Sequence, residues 1–198
     1  ANYYNRLAND YKSRIIDFRS IRFPGIISAQ TIPTGGTSDF LPEMIHTIAQ
    51  GKKYNCFVKK ETRLPFIVMP DAINAIINLM NAHKAKLSHH VYNISAFNPS
   101  VEEFSIKIKK YFPKAKVGYS INQKRQKLVE SWPAAIDDSA ARSNWGWSPK
   151  FDLSSALSDY LIPNIKKFLY IDIYPVIYYG TEYLRKFFSR SVIDYSIT

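Results

Sequence analysis

Arg19-Ser20-Ile21-Arg22-Phe23-Pro24-Gly25-Ile26-Ile27-Ser28, followed by Gly35-Gly36-Thr37-Ser38-Asp39-Phe40, is the stretch on which the fold is decided. The β-branched and aromatic residues from Ile15 to Phe23 predict a strand, and Pro24-Gly25 ends it. A loop is expected from Ile26 to Gly36, closing on Pro33-Thr34-Gly35-Gly36. A helix should then run from Thr37 to Gln50, with Ser38 or Asp39 near its start and Gly51 past its end. Strand, loop and helix in that order make one half of a parallel βαβ unit.

The alternation continues outward. Upstream, Asn2 to Tyr11 reads as the last turns of a helix, with Tyr4, Leu7, Ala8 and Tyr11 on one face. Downstream, strands are expected at Tyr54–Val58, Pro65–Met69, His90–Ile94 and Ala115–Tyr119. Pro70-Asp71 opens a helix whose Ile73, Ile76, Ile77 and Met80 share a stripe, which predicts a core-facing side. Ser100-Val101-Glu102-Glu103 has the form of a capping box for a helix to Tyr111, stopped by Pro113. Further helices are expected over Asp137–Trp147 and Leu153–Leu161. The class is α/β, with at least part of the sheet parallel.

Composition narrows the function. The chain has 198 residues, 46% hydrophobic and 15% aromatic, which is enough apolar material for a real core and excludes disorder over most of its length. Cys56 is the single cysteine, so there is no disulfide scaffold; a buried, inert thiol is expected there. The net charge is +11. Eight basic residues and no acid lie between Phe104 and Val129: Lys107, Lys109, Lys110, Lys114, Lys116, Lys124, Arg125 and Lys127. A solvated helix face plus loop explains this run more simply than a track for a phosphate backbone, and no aromatic–basic interleaving supports nucleic acid as a partner. From Ile162 to Thr198 the chain is dense in Ile, Tyr and Phe, and is expected to be a separate, helical tail. Lys166, Lys167 and Asp172 interrupt it, so a membrane span is not expected, while Tyr178 to Phe188 with Arg185, Lys186 and Arg190 suits either contact with an anionic membrane surface or a helix packed on the parent fold.

The familiar signatures of catalysis are absent from the sequence. There is no GxxxxGK[ST] and no GxSxG, and His46, His83, His89, His90 and Cys56 lack metal-ligand spacing. His89 and His90 alternate across a strand and read as a surface pair. The opening Ala1-Asn2-Tyr3-Tyr4-Asn5-Arg6 is neither a signal nor a transit peptide, which fits a protein that is not secreted.

A second unusual stretch is Glu130-Ser131-Trp132-Pro133-Ala134-Ala135-Ile136-Asp137-Asp138-Ser139-Ala140-Ala141-Arg142, followed by Trp145-Gly146-Trp147. Taken with the first stretch, with Thr62-Arg63-Leu64-Pro65-Phe66 and with Tyr92-Asn93-Ile94-Ser95-Ala96, it resembles the NAD-dependent L-threonine 3-dehydrogenases of the extended short-chain dehydrogenase/reductase superfamily. The resemblance covers about residues 1–161, with 162–198 outside it. It implies the C-terminal part of such an enzyme: a remnant of a Rossmann-type parallel sheet plus a small α/β substrate subdomain.

The resemblance also implies a reaction and a division of labour. Family members oxidise L-threonine to 2-amino-3-oxobutanoate with NAD, using a Tyr-x-x-x-Lys pair and a Ser or Thr for proton transfer. Those groups and the Gly-rich NAD turn would fall upstream of Ala1, so no catalytic residue is assigned in this chain, and alone it is expected to be inactive. By the same match Pro24, Gly25 and Ile26 border the nicotinamide, Gly36, Thr37 and Ser38 bind substrate, and Trp132 closes over it. Gly36, Thr37 and Ser38 would offer backbone N–H groups at a helix start, which favour a carboxylate. Arg63 and Asp71 are expected as a surface ion pair and a helix cap; Asp137, Asp138 and Arg142 as braces of the Trp-Gly-Trp helix. The family implies a possible homodimer and a cytoplasmic or mitochondrial-matrix setting. A sugar-nucleotide epimerase or dehydratase, an inactive remnant and a basic binding module stand as the alternatives.

Overall fold

The computed structural model describes residue 3 and residues 17–169. The expected helix over Asn2–Tyr11 and the membrane-facing segment Tyr178–Phe188 lie outside the described residues, apart from Tyr3.

Six short strands pair as three parallel two-stranded sheets. β1 (Ser20–Arg22) pairs with β5 (Val91–Asn93), β2 (Gly25–Ile27) with β4 (Phe66–Val68), and β3 (Tyr54–Cys56) with β6 (Val117–Tyr119). Every pair is joined by a crossover carrying helix, as parallel pairing requires. Between them lie α1 (Phe40–Ala49), α2 (Met69–Asn81), α3 (Val101–Lys109), α4 (Gln123–Glu130) and α5 (Ser139–Trp145). The last helix, α6, starts at Leu153–Ser155, widens into a π-helical stretch at Ala156–Leu161 and continues over 162–169. The α/β class and the parallel pairing are as the sequence indicates.

Two apolar clusters hold this arrangement. The larger collects Ile27, Phe40, Leu41, Met44, Ile45, Phe66 and Phe104, and receives Leu157, Leu161, Ile162 and Ile165 from α6. The first residues past Leu161 are therefore core. The smaller joins Ile67, Tyr92 and Ile94 to Ala72, Ala75 and Leu79 of α2 and to Ala141 and Trp147. Cys56 is fully buried, and burial pushes its thiol up to about 11, so it remains protonated and inert at neutral pH.

Local chemistry explains the element ends. Ser100 and Glu103 form the reciprocal capping box of α3. Gly146, in the left-handed region at φ 72°, closes α5, and Asp138 grips both Arg142 and the Trp147 indole N–H (3.1 Å). Asp137 accepts the Ser139 N–H at 2.9 Å. Arg63 makes a two-pronged ion pair with Glu103 at the surface, which holds that carboxyl below its usual range.

Four expectations are corrected. Ile26 does not begin a loop: Gly25–Ile27 is strand β2, because it finds Phe66–Val68 as a parallel partner. The loop expected in the second half of the basic run holds a further helix, α4, kept less by apolar periodicity than by its Asn122 cap and the buried Gln126. The stripe Ile73, Ile76, Ile77 and Met80 is 44–69% exposed; the small residues Ala72 and Ala75, with Leu79, face the core instead. Small side chains let a helix approach a sheet closely, which overrides the larger apolar periodicity.

Asp71 is the fourth. It is buried and caps nothing on its own helix; its two carboxylate oxygens accept the Lys150 and Phe151 N–H groups at 3.0 and 3.1 Å. That contact ties α2 to the entry of α6. Asp71→Ala is expected to cost about 2–3 kcal/mol, since it strands two backbone donors. Urea denaturation measures it, and a loss within 0.5 kcal/mol of zero would show that water replaces the carboxylate.

Candidate functional site

Strand β2 and the turn before α1 meet across one cavity of about 550 Å³. Phe23, Pro24, Gly25 and Ile26 form one wall, Ser38 and Asp39 another, and Leu64-Pro65 with Trp132, Pro133 and Ile136 complete it. Five residues singled out from the sequence therefore share one lining: Pro24, Gly25, Ile26, Ser38 and Trp132. Gly36 and Thr37 precede Ser38 in the same turn and do not line the cavity. Trp132 is 40% exposed and also lines a neighbouring cavity of about 450 Å³ with Lys59, Arg63 and Glu130.

The β2 wall is shaped by a ring beneath it. Gly25 lies opposite Phe66 in the β2–β4 register, and a Cβ at Gly25 would sit 2.6 Å from the Phe66 Cδ1. Phe66 stacks edge-on against Phe40 (5.6 Å between centroids), and Phe40 against Phe57 (6.1 Å). Phe40 is also the first residue of α1. The ring series thus links the backbone at Gly25 to the start of α1.

The turn before α1 is wired differently from the expectation. The Gly36 N–H donates to the Asp39 carboxylate at 2.7 Å, and the Asp39 N–H donates back to the Gly36 carbonyl at 3.1 Å. The Gly36 N–H is therefore already taken up within the turn. The hydroxyls of Thr37 and Ser38 make no hydrogen bond among the described residues. Among the described residues Asp39 is the one ionisable side chain in the cavity lining, and no cationic side chain lines it.

Below α1, the Tyr54 hydroxyl donates to Glu43 at 3.0 Å. Burial raises the Glu43 carboxyl above its usual range, opposed by that hydrogen bond and by the positive charge of Arg125. Arg125 escaped the sequence reading because it stands in a run of lysines; its guanidinium reaches the carbonyls of Gly35 and Gly36. Asp39, Leu64-Pro65, Pro133 and Ile136 were also missed as lining, although most lie beside residues that were singled out.

Among the described residues no group of three His, Cys, Asp or Glu side chains converges as a metal site, and no helix is long and apolar enough to cross a membrane.

No protein-family profile matches the chain. Individual relatives do. It is 38% identical over 146 residues to the mitochondrial L-threonine 3-dehydrogenase of Bos taurus, covering 74% of this chain and 39% of that protein. It is 40% identical over 141 residues to an uncharacterized epimerase/dehydratase of Staphylococcus saprophyticus, covering 71% of this chain and 44% of the relative. Among solved structures it resembles the GalE-like L-threonine dehydrogenase of Cupriavidus necator, with a TM-score of 0.75, 35% identity, and coverage of 82% of this chain and 57% of that one. The chain spans roughly half, or less, of the length of the relatives it matches, and the part it matches is their C-terminal portion.

Proposed function

We propose that this chain, a relative of the L-threonine 3-dehydrogenases, supplies the substrate-gripping wall of an NAD-dependent oxidoreductase that converts L-threonine to 2-amino-3-oxobutanoate. The observation that carries the choice of substrate is the charge of the cavity. Its lining is apolar except for the Ser38 hydroxyl and the Asp39 carboxylate. A carboxylate attracts the ammonium group of an amino acid and repels a diphosphate. A sugar nucleotide would bring two phosphate charges into a pocket whose described lining holds an acid and no base, so the epimerase reading is the weaker one.

The nicotinamide end of NAD fits the β2 wall. The Phe66 ring, which does not line the cavity, occupies the place of a Gly25 Cβ, so β2 offers the cavity the Gly25 backbone and the apolar ring of Pro24. NAD, when bound, supplies the hydride acceptor. The chain's own residues orient the amino acid: Asp39 holds the ammonium, Thr37 and Ser38 take the carboxylate, and Trp132 covers the methyl side and keeps water out. Proton removal falls to groups outside this set, in the part of the fold that the chain's relatives possess in addition.

A titration tests this directly. Trp132 emission should change on addition of millimolar L-threonine and remain unaltered with UDP-glucose, and Asp39→Ala should abolish the response. Trp132→Phe identifies which indole reports. A stronger response to UDP-glucose than to threonine would reverse the assignment.

A further inference from the structure

Of the eight basic residues between Phe104 and Val129, Arg125 is the one whose charged group turns inward to the candidate site. Lys124 and Lys127 on either side are exposed, whereas Arg125 is half-buried. Its guanidinium carbon lies 3.3 Å from the centroid of the Phe57 ring. From that stacked position one nitrogen donates to the Gly35 carbonyl at 3.2 Å and to the Gly36 carbonyl.

We propose that Arg125 is a positioning residue for the substrate-binding turn: it clamps Gly35-Gly36 so that Thr37 and Ser38 are presented to the cavity. The proposal rests on the reading of that cavity as the threonine site. The turn needs a clamp because its own sequence gives it little rigidity. Residues 34–36 are exposed, and Gly35 sits at φ 95°, a conformation open to glycine and few others. A Gly-Gly turn with no buried side chain opens at small cost unless something outside it holds it.

The base of the clamp is rigid. The Asn122 side chain accepts the Lys124 and Arg125 N–H groups, both at 3.1 Å, fixing the first turn of α4. One residue on, the buried Gln126 accepts the Lys59 N–H at 2.8 Å and donates to Thr62 and Glu130. Phe57, the platform for the guanidinium, is itself locked edge-on against Phe40 at the start of α1. Arg125 and Phe40 thereby hold the turn from its two ends.

The chemistry calls for arginine. A planar guanidinium can lie flat on a ring and still point N–H groups at two carbonyls, which a lysine ammonium on a flexible stem cannot do together. The consequence is division of the turn's polar groups. The carbonyls of Gly35 and Gly36 go to Arg125 and the Gly36 N–H goes to Asp39, which leaves Thr37 and Ser38 for a ligand.

Amide hydrogen exchange on this chain tests the clamp without requiring activity. Arg125→Met and Arg125→Lys should each speed exchange at the hydrogen-bonded Gly36 and Asp39 amides at least tenfold, with α2 unchanged. Lys124→Met, which removes the same charge one residue away, should leave the turn as it is. Unchanged exchange at the turn in Arg125→Met overturns the proposal, and so does equal acceleration throughout the chain, which would make Arg125 a general stabiliser. In an enzyme completed with the N-terminal half of a relative, Arg125→Lys should raise KM for threonine about tenfold while KM for NAD is unmoved. If that completed wild-type enzyme leaves threonine untouched, the substrate reading falls, and the exchange experiment still decides the role of Arg125.

Discussion

Mixed with the separately produced N-terminal half of an L-threonine 3-dehydrogenase, this chain is expected to form a one-to-one complex that reduces NAD when threonine is added, and the pair Ile76→Glu, Met80→Glu is expected to abolish both. The reason is the outer stripe of α2. Ile73, Ile76, Ile77 and Met80 are 49%, 44%, 48% and 69% exposed, and among the described residues no other helix shows such a run. At 3.6 residues per turn, the centre of this stripe lies about 120° around the helix from the centre of Ala72, Ala75 and Leu79. It therefore faces sideways within the helix layer, where a neighbouring helix of the same layer would pack.

The position of α2 is fixed well enough to present that flank. Arg19 donates to the carbonyls of Leu79, Met80 and Ala82 at 2.5, 3.0 and 2.7 Å, satisfying the helix C-terminus beside the entry to β1. Burying four such side chains yields about 1.5–3 kcal/mol each before the costs of association. Two glutamates in the same contact would have to be desolvated without partners, which removes the gain and more. The isolated chain should lose little stability with the two substitutions, because Ile76 is 44% and Met80 69% exposed, and it should be more soluble. Ile106→Glu, equally exposed at 56% but on α3, is the control and should leave the complex intact. Undiminished complex formation with the α2 pair would place the partner elsewhere, and absence of any complex with the wild-type chain would count against the two-part enzyme as well.

What the sequence discloses and what it hides have physical causes. Elements bounded by strong local chemistry were legible: the Ser100–Glu103 box, Pro70 at the first turn of α2, and Gly51 past α1 each act within a few residues. The α2 stripe misled because period 3.6 shows which residues share a face but not which face is inward; packing distance chose Ala72 and Ala75. Strand β2 was hidden because three residues of strand exist only through a partner about forty positions away. The Asp71 carboxylate serves donors at Lys150 and Phe151, a contact no local pattern encodes. The site divides in the same way. Pro24, Gly25, Ile26, Ser38 and Trp132 were picked out through the resemblance, whereas Arg125 acts across about ninety residues and Asp39 acts by folding its side chain back on its own turn.

Gly25→Ala is expected to lower stability by about 1–3 kcal/mol, and to impair the site more than that loss of stability explains. The new methyl would overlap the Phe66 ring, which is fully buried and cannot swing aside, because Phe40 packs edge-on against it at 5.6 Å. Either the ring is displaced, carrying Phe40 and the start of α1 with it, or β2 is pushed outward into the cavity. Both outcomes change the distance between the β2 wall and Ser38, the two surfaces that must face each other across cofactor and substrate. The local origin of the effect can be isolated by a double-mutant cycle. Phe66→Leu alone creates a void and should cost about 1–3 kcal/mol, whereas combined with Gly25→Ala the methyl occupies part of that void. The two costs should then sum to more than the double variant shows, by at least 1 kcal/mol in chemical denaturation. Strict additivity would mean that the Gly25 backbone and the Phe66 ring are energetically independent, and that glycine at this position serves something other than the close approach of β2 to β4.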